Sequence, residues 1–475
     1  MFALHIVIMF YCPEVHTGAF FMDKITSTSS KGTLGLLACV AIIVGGMIGS
    51  AIFSLSGLTM SLAGPSAIVS WLLAAVIMLI YGLCVAELST IFPKSGGVFV
   101  FPSKALGKTE KQGSFWGWIS TWGYINANIV AIAFAAIYVS TYLGAGFGLP
   151  GGLQIPLAVI SILFCLLLNA LRISITGKVN NILVVSLIIA LGIFVCIAFF
   201  GGEWDSILLE PFFSQGKAGN TGFLGAVPTA MVGYGSIVAI AFMVGEVKNP
   251  NKTVPKSVLI AMLIVAFVYI MVILATSGLV SAEFLNANPQ FTFIPLYAAV
   301  FTKLTAFPWL AKVVSIAAVL ALLTTMLVVI ALTSRAIQAS AEKGMLPKFF
   351  AKNGKTGTPI AASTLVTLCA IIVSCFPEFT SEIVSFAALF AATTISINFV
   401  SLLVARKKNQ YIEGNFKAPG GKILPIIGLA LIILCYIPDI ITGGWIIWVY
   451  TIAWYLVGFV IFMIGIKRQK TNDQK

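Results

Sequence analysis

Two short runs of this sequence place glycine and small polar residues inside otherwise apolar stretches: Gly45-Gly46-Met47-Ile48-Gly49-Ser50 and Gly233-Tyr234-Gly235-Ser236. Glycine tolerates backbone angles outside the helical region, so a helix can stop and restart at either run. The restarted half begins with N–H groups that have no intrahelical acceptor, and the half that ends leaves carbonyls without donors. N–H groups at the positive end of a helix dipole hold a carboxylate with about 1–2 kcal/mol in a partly buried site. Carbonyls at the other break accept hydrogen bonds from an ammonium group. Brought together, the two breaks suit a zwitterion such as an amino acid. Close packing is the other use of such runs, because small residues let transmembrane helices approach one another. For either run alone packing is the better reading; two runs at matching positions favour a binding site.

The elements that must position these runs are membrane helices. Of 475 residues, 59% are hydrophobic and only 9% charged, a composition that cannot cover a soluble surface and belongs to integral membrane proteins. It excludes a soluble enzyme, a nucleic-acid binder and a secreted disulfide scaffold. Long charge-free runs occur at 32–58, 66–86, 114–147, 153–171, 179–202, 221–245, 257–282, 313–334, 359–377, 383–405, 423–438 and 440–466. They predict an all-α protein with about twelve transmembrane helices. A crossing needs about 20 apolar residues, so the run 423–438, which ends at Asp439, is short for the task. The glycine runs fall in the first and sixth spans, five apart. If residues 32–202 (spans 1–5) and 221–405 (spans 6–10) are repeats, an odd number of crossings makes them inverted. Both interruptions then fall in the first helix of a repeat, which points to a midplane site. Residues 423–466 supply two further helices.

Charge fixes the expected orientation. With the N-terminus inside, 25 of the 28 Lys and Arg fall in cytoplasmic segments and only Lys217, Lys303 and Lys312 outside, as the rule for positive inner loops requires. Both termini, 1–31 and 467–475, are therefore expected in the cytoplasm of a multi-pass cell-membrane protein. The net charge of +13 reports this topology and no nucleic-acid partner. Residues 1–21 are apolar but have neither a basic lead nor a small-residue cleavage site. The simplest reading is a mis-called start or an added tail; an interfacial anchor is the alternative.

What the sequence lacks narrows the chemistry further. Both histidines, His5 and His16, lie in the N-terminal tail, and no Asp or Glu falls at the centre of a span. An enzyme site would need intramembrane histidine, paired acids or a nucleophile with its base, so no enzyme, cofactor or histidine metal site is expected. Seven of the eight cysteines lie in apolar segments with no CxxC pair and read as small hydrophobes. Neither a phosphate-cradling GxxxxGK[ST] loop nor a soluble ATPase domain is present, which argues against primary transport. A channel, the alternative of a different class, would carry a repeated pore motif or a charged ring.

Four blocks carry a resemblance: GGMIGSAIF (Gly45–Phe53), YGLCVAELSTIFPKSGGVFVFPSKALG (81–107), GEVKNPNKTVPKS (245–257) and SRAIQASAEKGMLPKFFAKNGKTGTP (334–359). In this order they are similar to the amino acid–polyamine–organocation (APC) superfamily of permeases. The resemblance implies a leucine-transporter-like 5+5 inverted repeat plus two helices and alternating access around a midplane site. It implies that Gly49, Ser50 and Ala51, following Ile48, bind a substrate carboxylate. Tyr234, Gly235, Ser236 and Ile237 would line the second break, with Tyr234 as a gate, and Asn128 would line the site from span 3. Departures stand out. Ala51 replaces a glycine, Ser236 stands where glycine is usual, Val238 where many members have an acid, and span 5 (NILVVSLIIAL, 181–191) lacks the lysine of proton-coupled branches.

The same resemblance suggests a cytoplasmic latch of Glu87, Glu246, Arg335 and Lys343, with solvated loop charges as the other reading. Thr324 and Thr325 are weak candidates for a sodium site; hydroxyls in apolar helices more often bond the preceding turn. Without a central acid, each extra ammonium is expensive to desolvate, so a neutral amino acid is expected, with a basic amino acid or polyamine antiporter as the alternative. The partners expected are a small amino acid, the lipid bilayer and a second copy in a homodimer.

Overall fold

A computed structural model describes residue 32 and residues 34–171, 173–442 and 444–473. For 173–181, 379–386, 438–442, 444, 446–447 and 468–473 it describes the backbone alone. The expectations for residues 1–31, including His5 and His16, lie outside the described residues. Apart from an isolated bridge between Leu34 and Val247, the regular structure described is helical. Charge-free sequence makes this the stable choice: in lipid every backbone group must find its partner within the segment.

The first predicted span is two pieces, α1 (Leu36–Met47) and α2 (Ser56–Ala63), joined by a π-helical turn at Ala51–Leu55. The second is α3 (Ala67–Ile91). Hydropathy alone treats Leu36–Ile91 as one stretch of 56 residues, but Trp71 Nε1 donates to Thr59 Oγ1 at 2.9 Å. Twelve residues of straight helix would put them roughly 18 Å apart. The chain therefore folds back between them, at Gly64, whose φ of 64° favours glycine.

Further on lie α4 (Gly97–Leu106), α5 (Glu110–Phe147), α6 (Gln154–Ala170) and α7 (Ile173–Phe200). The sixth span is α8 (Val227–Val232) and α9 (Ala239–Phe242), followed by α10 (Pro250–Ser277), α11 (Pro308–Glu342) and α12 (Ile360–Ser374). The last three are α13 (Thr380–Lys407), α14 (Ile423–Thr442) and α15 (Gly444–Asp473). Among the described residues eight helical stretches are long and apolar enough to cross a membrane, and nine with the bent pair Gly219–Val232 and Gly235–Phe242. Helices overrun the charge-free runs where water can solvate their ends. α5 starts at Glu110, capped by Thr109 Oγ1 accepting from the Gln112 N–H. The backbone of α14 continues through Asp439, where the sequence reading ended the span.

The interior belongs to α5 and α11, whose most apolar windows are 67% and 72% buried, against 22% for Gly151–Ala170 and for Trp448–Lys467. Between membrane helices packing and hydrogen bonds replace the hydrophobic effect, and small residues allow it. A Cβ on Gly146 of α5, for example, would overlap the Ser315 side chain of α11. α5 and α11, with α3, α13 and the two broken helices, enclose the site.

Candidate functional site

The first helix breaks where the sequence indicated, a little later than its glycines. α1 continues through Gly45 and Gly46, ends at Met47, and leaves the helical region at Ile48, with ψ of 88°. The sixth span bends by 45° between its two pieces; Tyr234 sits at φ −102°, ψ 7° before a 3-10 turn at Gly235–Val238. None of the five glycines in the two runs has a positive φ. Their requirement is proximity. A Cβ on Gly46 would stand 2.7 Å from Ser236 Cβ, one on Gly49 would overlap Thr325 Oγ1, and one on Gly233 would meet Trp71 at 2.8 Å. The expected reason, tolerance of unusual backbone angles, gives way to close approach.

Each break is held by side chains from intact helices. Ser50 N–H, freed at the start of the second half, donates to Thr325 Oγ1 of α11 at 3.3 Å. The Tyr142 hydroxyl of α5 donates to the Phe53 carbonyl in the π turn at 2.5 Å. The Tyr269 hydroxyl of α10 donates to the carbonyls of both Met47 and Gly233, the latter at 3.1 Å. One phenol thereby ties the two breaks together. Trp71 packs edge-on against Tyr269 and Tyr234, with ring centroids 4.8 and 5.9 Å apart.

Between the breaks lies a cavity of about 130 Å3, close to the roughly 150 Å3 that accommodates a benzene-sized group. Ser50, Ala51, Asn128, Gly235 and Ser236 line it, with Tyr81, Tyr124, Phe134 and Thr325 among others. Four residues of the expected set are not in the lining: Ile48, Gly49, Tyr234 and Ile237. Gly49 is turned against Thr325, and Ile237 packs toward Gly82. Tyr234 is fully buried and donates to the Trp71 carbonyl at 3.3 Å; it braces the break and does not face the cavity as a gate. No Asp, Glu, Lys, Arg or His is among the lining residues. The Nδ2 of Asn128 is buried there beside Tyr124 and makes no well-formed hydrogen bond. Thr324 and Thr325 hydroxyls both donate to the Ala321 carbonyl, at 2.7 and 3.2 Å, the back-bonding usual for hydroxyls in helices.

The four expected latch residues separate into different ion pairs. Arg335 meets Glu246 at 2.9 Å, with side chains 11% and 25% exposed. Lys343 lies 3.9 Å from the largely exposed Glu110, a surface pairing of small energetic weight. Glu87 belongs to a third pair, with Arg406 at 2.5 Å, its own side chain fully enclosed and that of Arg406 8% exposed. Around that pair the segment after α13 is strapped down: Ala418 N–H and the Tyr411 hydroxyl donate to Glu87, and Arg406 donates to the Gly421 carbonyl. Desolvation, then the hydrogen bond to Glu87, pushes the Tyr411 phenol from 10.0 up to about 12. Nearby, Lys408 donates to the Ala105 carbonyl, and desolvation together with the neighbouring Lys108 lowers its pKa.

Trp71, Tyr142, Tyr269, Arg406 and Tyr411 were missed in the sequence reading. Polar-tipped aromatic residues deep in apolar spans were the available signal for the first three, because a buried hydroxyl or indole N–H needs a partner. Nothing local indicated that Glu87 and Arg406, 319 residues apart, would meet.

Comparison with known proteins agrees with this architecture. Residues 34–474 match the amino acid permease family. The chain is 28% identical to the branched-chain amino acid permease BcaP of Bacillus subtilis (strain 168), over 95% of this chain and 97% of that protein. It is 25% identical to the methylthioribose transporter of the same organism, over 92% and 94%. With the chloroplastic cationic amino acid transporter 7 of Arabidopsis thaliana it shares 26%, over 78% of this chain and 65% of that one. Matched along nearly its whole length, and to transporters and not enzymes, the chain belongs to the amino acid permease family of the APC superfamily.

Proposed function

We propose that this permease is a secondary transporter that carries a neutral amino acid across the cell membrane by alternating access. The observation that carries the reading is the uncharged lining of the cavity between the two helix breaks. A second ammonium or a guanidinium held there would lose its hydration without a counter-charge, at several kcal/mol. In this reading the substrate carboxylate takes the N–H groups of Ser50 and Ala51, with the Ser50 N–H shared between Thr325 and the substrate, while Gly49 lets the break lie close against Thr325. The ammonium takes carbonyls beside Gly235 and Ser236, and Asn128 faces the side chain. Ile48, Tyr234 and Ile237 hold the breaks in shape from behind. Twelve spans arranged as 32–202, 221–405 and 423–466, with the first two as inverted repeats and both termini in the cytoplasm, give the two-sided access that the cycle needs. The latch on the inner side reduces to Glu246 and Arg335.

Relatives named for branched-chain amino acids support a neutral substrate. Others named for cationic amino acids and polyamines favour the second reading, a basic amino acid or polyamine antiporter. Uptake of radiolabelled amino acids into proteoliposomes, with and without internal substrate and with proton or sodium gradients, separates them. Saturable uptake of neutral amino acids is expected, and a response only to arginine, ornithine or polyamines would establish the second reading instead. No response to any amino acid or amine would remove both.

A further inference from the structure

Tyr81 lines the cavity from α3, yet the resemblance assigned it nothing. Its hydroxyl pairs with the Asn398 side-chain amide of α13 at 3.0 Å. Both residues are enclosed, Tyr81 at 3% exposure and Asn398 at 0%, and the ring of Tyr81 is braced edge-on by Phe399 at 5.7 Å. The pairing uses one polar function of each group. Asn398 Oδ1 is left without a partner, and the phenol, able both to give and to accept a hydrogen bond, retains one function for the cavity. Asn128 Nδ2, on the same cavity beside Tyr124, makes no well-formed hydrogen bond. Through Tyr81 and Asn128 the cavity wall thus offers polar groups that are neutral and incompletely used.

An aliphatic substrate side chain would leave those groups unsatisfied, which is costly in a buried site. A site built to hydrogen-bond a hydroxyl discriminates against the analogue that lacks it. We propose that Tyr81, held in place by Asn398, is a specificity-determining residue that hydrogen-bonds the side-chain hydroxyl of the substrate. The permease then prefers threonine to valine, which has the same shape. Asn398 acts through Tyr81 and is a positioning residue. This inference rests on the neutral amino acid reading above.

Threonine and valine uptake by the purified, reconstituted full chain tests it. Wild type is expected to favour threonine in kcat/KM by roughly fivefold or more, the worth of one neutral hydrogen bond. Tyr81→Phe should bring the ratio near one, with kcat/KM for threonine falling about fivefold further than that for valine. Asn398→Leu should move the ratio the same way with the Tyr81 ring retained, and it serves if Tyr81→Phe does not fold. A wild-type preference for valine, or variants in which both rates fall together at constant ratio, would overturn the inference and leave the transport reading standing. Absence of uptake for every neutral amino acid in wild type would overturn the transport reading itself and this inference with it.

Discussion

Gly49 and Thr325 make a two-residue test of how the first break is held. A Cβ at position 49 would overlap Thr325 Oγ1 and come within 3.0 Å of the Ala321 carbonyl and of Thr325 Cβ. Gly49→Ala must therefore push the start of the second half-helix away from α11. Overpacking of this kind costs about 1–3 kcal/mol, and separation also breaks the Ser50 N–H to Thr325 bond, worth about 1 kcal/mol. The total, about 2–4 kcal/mol, corresponds to a roughly 30- to 700-fold weaker apparent affinity for a transported amino acid. Thr325→Ala alone removes the hydroxyl and should cost only about 1 kcal/mol. In the double variant the added methyl group occupies the space vacated by Oγ1, so the penalties do not add. We expect a coupling of about 1–3 kcal/mol toward rescue, read as binding within roughly fivefold of Thr325→Ala. Equilibrium binding to detergent-purified single and double variants supplies all four corners of the cycle. Additive losses, or a Gly49→Ala protein that binds as tightly as wild type, would show that this contact does not set the geometry of the break.

Other expectations follow from the ties around the site. Tyr269→Phe deprives the Met47 and Gly233 carbonyls of their shared donor. It should lower stability by about 2 kcal/mol, seen as a lower half-inactivation temperature of binding in detergent; an unchanged temperature would mean the bridge carries no stability. Glu87→Gln leaves the enclosed Arg406 guanidinium uncompensated and should cost about 3–5 kcal/mol, with most folded protein lost from membranes. The double variant Glu87→Gln with Arg406→Met should regain it, and failure to do so would place the role of Glu87 elsewhere than in this pair. The Tyr411 phenol, raised from 10.0 to about 12, keeps its proton in the fold beyond the pH at which it would lose it unfolded. Its contribution to the strap is whole below pH 10 and is lost as pH rises toward about 12. The tyrosinate absorbance missing from Tyr411→Phe should accordingly titrate near 12; titration near 10 would contradict the bond to Glu87.

Much of the architecture was legible because lipid leaves the chain few choices. Charge-free length marks helices, and glycine among small polar residues marked both discontinuities to within a few residues. The reason for the glycines was not legible. Gly46 and Gly49 are small because Ser236 and Thr325 stand against them, and those neighbours come from helices hundreds of residues away. Charge pairing escaped for the same reason. Glu87, Glu246, Arg335 and Lys343 lie in three of the blocks that carry the resemblance, all expected on the inner side, but only three-dimensional packing decides that Glu87 takes Arg406 and leaves Arg335 to Glu246. Tyr234, conspicuous in sequence, packs behind the break, whereas Tyr81 and Tyr269, unremarked among aliphatic neighbours, touch the cavity wall and the broken backbone. The two breaks in the backbone were thus foreseeable, and the side chains that hold them were not.

The Tyr269 phenol has a single hydrogen to offer and two oxygens competing for it. Such a fork is satisfied only while both claimants stay near. Should either strand of backbone swing aside, the proton must side with the one that remains, and the deserted oxygen must find another donor in its stead. The arrangement makes the two strands rivals as well as neighbours, so that a molecule arriving between them inherits whichever oxygen the phenol has let go.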